Sequence, residues 1–95
     1  MTVSVKLKNV RPSADVAWYE KTESMNSLIE QYKLSGDIVS LDIDFISDTE
    51  VLTTTVFKDD ASHELVNNDM DWKAETDKMI DYYELNNVTT SVTIG

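Results

Sequence analysis

Residues 38–60, IVSLDIDFISDTEVLTTTVFKDD, have the pattern of a β-hairpin, and this stretch decides the fold. Between Val39 and Phe45, apolar residues alternate with Ser and Asp, the period of two that sends successive side chains to opposite faces of a strand. The return run, Val51–Phe57, is apolar or β-branched throughout, and Ser47–Glu50 supplies turn-forming residues between the two runs. The sequence therefore predicts two antiparallel strands in the middle of the chain.

The predicted register of the hairpin sets Ile46 opposite Val51 across a four-residue loop. In this register one face of the hairpin is apolar, and it carries Leu41, Ile43, Phe45, Leu52, Thr54 and Val56. The other face is polar, and it carries Asp42, Asp44, Thr53 and Thr55. The register leaves Val51 and Phe57 on the polar face, near its ends.

The two ends of the chain alternate in the same way as the hairpin. The pattern predicts a first strand over Thr2–Asn9, which stops near Val10 because Pro12 cannot donate a hydrogen bond to a ladder. It predicts a last strand over Val88–Ile94. Residues 11–22 are predicted to form either a helical turn capped by Ser13 or an irregular loop.

Two helical segments separate these strands. Apolar residues recur at three and four residues over positions 23–34, where Thr22 or Ser24 can cap the helix and Gly36 can end it. A second helical segment starts at Asp59 and Asp60. We expect a kink or short break at residues 67–69, Asn-Asn-Asp, and an end at residues 86–87.

The resulting order is β-α-β-β-α-β, which is typical of the ferredoxin-like fold in the α+β class. Right-handed crossovers then give a four-stranded antiparallel sheet with strands one and three in the middle and helices on one face only. At 95 residues, the chain has room for a single domain spanning residues 1–95. Its edge strands and its bare sheet face could both take part in association.

Composition restricts the partners. The 18 acidic residues against eight basic ones give a formal charge of −10, which makes nucleic acid an unfavourable partner. The chain contains no cysteine, no zinc spacing and no phosphate-binding loop, so we expect neither a metal nor a cofactor. No apolar stretch is long enough for a membrane span or a signal peptide, which predicts a soluble, cytoplasmic protein.

The candidate site residues fall into three groups, each with a plainer interpretation. Asp42 and Asp44 could hold a cation or act as acid and base, but with Lys6, Lys8, Thr53 and Thr55 on the same face they fit a solvated sheet surface. His63 could act as a base with Asp59 or Asn67 beside it, or it could be an exposed residue at the start of a helix.

Aromatic residues form the third group. Trp18 and Tyr19 lie in the irregular connection and could cover a ligand cavity or a partner chain. Trp72, Met79 and Tyr83 have helical spacing, which could line an aromatic pocket but is more often typical of a core.

Residues 40–95 resemble the second half of antibiotic-biosynthesis-monooxygenase-like proteins of the dimeric α/β-barrel type. The resemblance rests on Thr53–Asp60, a helix containing Trp72, and Tyr83 followed by residues 86–88, Asn-Asn-Val. It implies a homodimer, and some members of that family oxidise aromatic polyketides without a cofactor or degrade haem. The polar cavity residues of catalytic members have no matched counterparts here, and His63 does not align with a haem-ligating position. The chain also resembles small uncharacterised proteins of tailed phages that infect marine cyanobacteria.

Three hypotheses about function remain open from the sequence. The first is a small acidic module without catalytic activity that associates with itself and binds a partner protein or a small ligand. The second is a cofactor-independent monooxygenase-like or isomerase-like enzyme that acts in a cavity under the sheet. The third is a phage accessory or virion-associated protein.

Overall fold

A computed structural model describes all 95 residues, which form four strands and three helices. The strands are β1 (Val3–Val10), β2 (Ile38–Phe45), β3 (Glu50–Phe57) and β4 (Thr89–Ile94). They form one antiparallel sheet in the order β2-β3-β1-β4. The helices are α1 (Glu23–Ser35), α2 (Asp60–Asn67) and α3 (Met70–Leu85). This is the ferredoxin-like arrangement, which confirms the predicted fold class and the predicted central strands.

Side-chain caps begin the helices at the positions where the sequence indicated them. Thr22 Oγ1 accepts a hydrogen bond from the backbone of Met25, and Asp59 does the same for Ser62. Such caps satisfy amides that have no partner within the helix. Gly36 ends α1 in the left-handed region at φ +87°, which costs glycine little because it has no Cβ.

The expected break separates α2 from α3 at Asn68 and Asp69. Asp69 caps α3, and its Oδ1 accepts hydrogen bonds from the backbone of Asp71 and Trp72. The Tyr32 hydroxyl donates to Oδ2 of the same carboxylate, so this one side chain joins α1 to the start of α3.

The register of the β2–β3 hairpin differs by one residue from the predicted one. Phe45 pairs with Val51, and Phe57 pairs with both Val3 and Ile38. This register buries Val51 and Phe57, which are 5% and 3% exposed, against the helices. The predicted register would have left both side chains outside the core, so hydrophobic burial selects the observed pairing.

This shift moves the hairpin threonines between the two faces of the sheet. Thr53 pairs with Leu7 and Thr55 with Val5, which places both on the helix side. The prediction that Thr53 and Thr55 share the polar face is therefore wrong. Thr54 takes that place instead.

One cluster of buried apolar side chains lies at one end of the sheet. Its five residues come from β1, β2, β3, α1 and α2, namely Val3, Tyr32, Ile38, Phe57 and Val66. The other buried apolar residues are Ile29, Val51, Tyr83 and Val88. At the other end, the amide of the buried Asn9 donates to Thr90 Oγ1 at 2.8 Å and satisfies a polar group inside the fold.

Residues 11–22 form an irregular loop, which decides between the two predicted alternatives. Arg11 supports this loop, because it donates to the carbonyls of Val16 at 2.7 Å and Asp48 at 2.6 Å. None of the helices combines the length and the hydropathy that crossing a lipid bilayer requires.

Candidate functional site

A cavity of about 290 Å³ lies between the sheet and the helices. Its lining includes residues from all four strands and all three helices. The apolar members are Val5, Leu7, Met25, Leu41, Phe57, Trp72, Met79, Ile80, Val92 and Ile94. The polar members are Lys21, Thr53, Thr55, His63, Asn67, Thr76 and Thr90.

The cavity follows from the distribution of side-chain size along the central strands. Large side chains fill one end of the sheet, where Tyr32 and Phe57 belong to the core. In the middle, the floor includes Val5, Thr53 and Thr55, which are short and β-branched, beside the larger Leu7 and Leu41. The larger residues hold the helices away from the sheet, so the space above the short side chains stays unfilled.

The apolar stripe of α3 faces the sheet and belongs in part to the core and in part to the cavity lining. Trp72, Thr76, Met79 and Ile80 line the cavity, and Tyr83, the last member of the stripe, is buried outside it. Trp72 also packs against the buried core cluster, so the core and pocket interpretations both apply to this residue. Trp72 also packs edge to face against Tyr32, with ring centroids 6.0 Å apart.

His63 lines the cavity from the first turn of α2. The sequence paired it with Asp59 or Asn67, and the structure selects Asn67, whose Nδ2 lies 2.9 Å from His63 Nε2. Asp59 is occupied in capping the helix. The imidazole also packs against the Phe57 ring, with centroids 4.9 Å apart. Because an amide nitrogen donates, Nε2 accepts the hydrogen bond from Asn67, and the neutral imidazole then carries its proton on Nδ1.

Lys21 lines the cavity immediately before α1, and the sequence reasoning missed it. Burial lowers the pKa of its ammonium group. The two ion pairs of the protein involve Lys8 and Lys78, so Lys21 has no carboxylate partner. No local signal identified this residue, because a lysine before a helix cap is ordinarily a solvated surface residue.

The remaining predicted site residues lie outside the cavity. Lys6, Lys8, Asp42 and Asp44 lie on the open face of the sheet, as predicted. Trp18 and Tyr19 cover α3, where both rings pack against Tyr83. The Arg11 guanidinium stacks over Trp18, 4.4 Å from the ring centre.

The open face carries two rows of side chains in register across three strands. In one row, Lys6 and Asp42 flank Thr54. In the next, Lys8 and Asp44 flank Leu52, and Lys8 Nζ lies 3.4 Å from Glu50 Oε1. Each row therefore has a cation on β1 and an anion on β2, with a neutral residue between them.

Together these features define a class of protein, a ferredoxin-like α+β domain with an apolar cavity between its sheet and its helices. The solved structures that it resembles include dimeric ferredoxin-like and antibiotic-biosynthesis-monooxygenase-like proteins. Rv0793 from Mycobacterium tuberculosis has a TM-score of 0.69 at 14% identity, over 100% of this chain and 93% of that one. A dimeric ferredoxin-like protein from an uncultured marine organism has a TM-score of 0.61 at 12% identity, over 99% and 92%.

The third similar structure is SnoaB, a cofactor-independent oxygenase from Streptomyces nogalater. Its TM-score is 0.62 at 9% identity, over 99% of this chain and 90% of that one. No protein-family model matches the sequence, and no curated protein matches it. Identities this low establish a shared fold.

Proposed function

We propose that this protein binds a small, mostly apolar molecule in the cavity under its sheet and that it does so as a homodimer. The cavity itself is the observation that carries the first part. Its volume of about 290 Å³ is close to the lower limit for ligand sites. Ten of the 17 lining residues are hydrophobic and seven are polar, the combination that buries an apolar body and orients it through a few polar contacts.

Filling the cavity tests this proposal. Thr55→Leu enlarges a residue of the cavity floor, while Thr93→Leu adds the same side chain at an exposed position of the edge strand β4, outside the cavity. The probe is a neutral aromatic amide, 2-naphthamide, and the measurement is isothermal titration calorimetry. We expect Thr55→Leu to weaken binding roughly tenfold or more and Thr93→Leu to leave it unchanged. Equal binding by both variants would place the ligand elsewhere.

The homodimer is supported by the two rows on the open face. In such a dimer the open faces of two sheets would stack on each other, with the two-fold axis between them and parallel to β3. Because β1 and β2 flank β3, β1 of one copy would then lie over β2 of the other. Lys6 would then face Asp42 of the second copy, and Lys8 would face Asp44. Because an isologous interface uses the same surface twice, every opposite-charge contact would occur twice.

Sedimentation velocity tests the homodimer. The double variant Lys6→Glu with Lys8→Glu brings like charges together and should shift the protein towards monomer. Adding Asp42→Lys and Asp44→Lys to the same chain should restore the dimer, because the charges are then exchanged. A wild-type protein that sediments as a monomer at all concentrations would overturn this part of the proposal.

A second candidate function is a cofactor-independent oxygenase, the activity for which SnoaB is named. The specific observation is the contact between His63 and Asn67 inside the cavity. With the Asn67 amide turned so that its Oδ1 accepts from Nε2–H, the imidazole would take a proton at Nδ1 from an acidic carbon of a bound aromatic molecule. The carbanion would reduce molecular oxygen from solution and form a carbon–oxygen bond to it, which gives a peroxide anion. The imidazolium would return its proton to this anion, and loss of water from the hydroperoxide would leave a ketone.

Oxygen uptake with an anthrone as substrate tests this second function. His63→Ala should abolish uptake, and Asn67→Ala should lower it, because the imidazole then loses its orienting partner. Uptake that is the same for wild type and for His63→Ala would exclude His63 as the base. That result would exclude the oxygenase function alone, because the binding function is tested separately with 2-naphthamide.

A further inference from the structure

The cavity lining contains no carboxylate, although the chain carries 18 acidic residues and a formal charge of −10. The charged or titratable residues that line it are Lys21 and His63, the latter being the only histidine of the chain. A random sample of this sequence would place several Asp or Glu among 17 residues. The cavity therefore differs in charge from the rest of the molecule.

Lys21 has no internal anion to neutralise it. The one buried carboxylate of the fold, that of Glu75, already accepts a hydrogen bond from Thr22 and lies 2.9 Å from Lys78 Nζ. The neighbours Glu20 and Glu23 are exposed, and neither lines the cavity. A lysine commonly lays its methylene stem on apolar surface with the ammonium in water. Here burial lowers the pKa of the ammonium group, which indicates that the charged end is partly shielded from water.

An unpaired cation at an apolar wall is unfavourable in free energy for the empty protein, and an anionic ligand that pairs with it offsets this cost. Removing an ammonium group from water has a cost in free energy, which an opposite charge in contact with it offsets. Hydrogen bonds to charged groups are also stronger than neutral ones. The imidazole of His63 adds a second polar group to the same cavity.

We infer that the ligand is an apolar, ring-sized molecule with one oxyanion, a carboxylate or a phenolate, which is bound by the Lys21 ammonium group. This inference rests on the proposed binding function of the cavity and names the chemical class of its ligand. The selectivity comes from the charge of Lys21 and from the absence of acidic residues in the lining. The apolar body occupies the remainder of the cavity, against Trp72 and Met79.

Three probes of the same shape test this inference: 2-naphthoate, 2-naphthamide and 2-naphthylmethylammonium, titrated by calorimetry into the full chain. We expect wild type to bind the anion roughly 10- to 100-fold more tightly than the amide, and the cation most weakly. Lys21→Gln should lower the affinity for the anion to about that for the amide. Lys21→Arg should keep the preference, and Lys58→Gln, a change at an exposed lysine, should have no effect.

The results separate this inference from the binding function on which it rests. If wild type and Lys21→Gln bind anion and amide equally well, the cavity binds ligands but Lys21 does not select their charge, and the inference is overturned. If none of the three probes binds, both the binding function and the inference are overturned. Circular dichroism of each variant shows whether it retains the fold.

Discussion

Tyr32 donates a hydrogen bond to Asp69, and this contact joins α1 to the break between α2 and α3. The two groups perturb each other in opposite directions. The hydrogen bond to Asp69, together with burial, raises the pKa of Tyr32 to about 12. The same hydrogen bond is the main reason that the pKa of Asp69 is lowered.

These shifts predict a pH range in which the contact stabilises the fold. Because the pKa of Tyr32 is raised, its contribution is complete below about pH 10 and is lost as the pH rises towards 12. Because the pKa of Asp69 is lowered, its contribution is complete above about pH 4 and is lost at lower pH. Because the acceptor is a charged carboxylate, Tyr32→Phe should lower the free energy of unfolding by about 1.5–3 kcal/mol at pH 7 in urea denaturation.

The difference between wild type and Tyr32→Phe should shrink at both extremes of pH. Tyr82→Phe is the matched control, since the Tyr82 hydroxyl donates to the carbonyl of Ala17 at the surface. A difference for Tyr32→Phe that is constant from pH 3 to pH 11 would contradict the assignment of the two shifts to this contact.

Phe57 reports on the register of the hairpin. It is 3% exposed and packs among Val3, Tyr32 and Ile38 in the core. Phe57→Ala should therefore lower the free energy of unfolding by about 3–5 kcal/mol. Leu65→Ala, which removes a large apolar side chain that is 56% exposed, should change it by about 0.5 kcal/mol or less. A small effect of Phe57→Ala would favour the register predicted from the sequence.

Trp72 should report on occupation of the cavity through its fluorescence. The chain has two tryptophans, and only Trp72 lines the cavity, whereas Trp18 stacks on Arg11. A ligand that enters the cavity should change the emission of wild type and of Trp18→Phe to a similar extent. Trp72→Phe should lose most of this response. A fluorescence change that is lost in Trp18→Phe and kept in Trp72→Phe would place the ligand against the loop 11–22.

Arg11 should control the order of the loop 11–22. Its guanidinium group connects the carbonyls of Val16 and Asp48 and stacks on Trp18. Arg11→Ala removes all three contacts and should lower the free energy of unfolding by about 1 kcal/mol. Amide hydrogen exchange within residues 12–21 should become faster.

Arg11→Lys is the matched variant for this prediction. A lysine ammonium keeps the charge but lacks the planar fork that reaches two carbonyls while it stacks on an indole ring. We expect exchange rates between those of wild type and Arg11→Ala. Rates unchanged in both variants would show that the aromatic contacts of Trp18 and Tyr19 with α3 hold the loop without Arg11.

The sequence by itself determined the order of the elements, their class and the polar faces of β1 and β2. Alternation in β1 and in the hairpin, and the helix signals at Thr22, Gly36 and Asp59, are properties of neighbouring residues. They therefore do not depend on the partner against which an element packs. For the same reason the polar residues Lys6 and Asp42 could be assigned to one face before any strand was paired.

The tertiary structure alone decided the register, the cavity and the members of the candidate site. A shift of one residue in a hairpin leaves local propensities unchanged, and it was the burial of Val51 and Phe57 against the helices that selected the pairing. The gap above Thr53 and Thr55 depends on how far the helices stand from the sheet, which side chains distant in sequence determine. Lys21 and His63 lie 42 positions apart and belong to one site because the sheet places α1 and α2 on the same face.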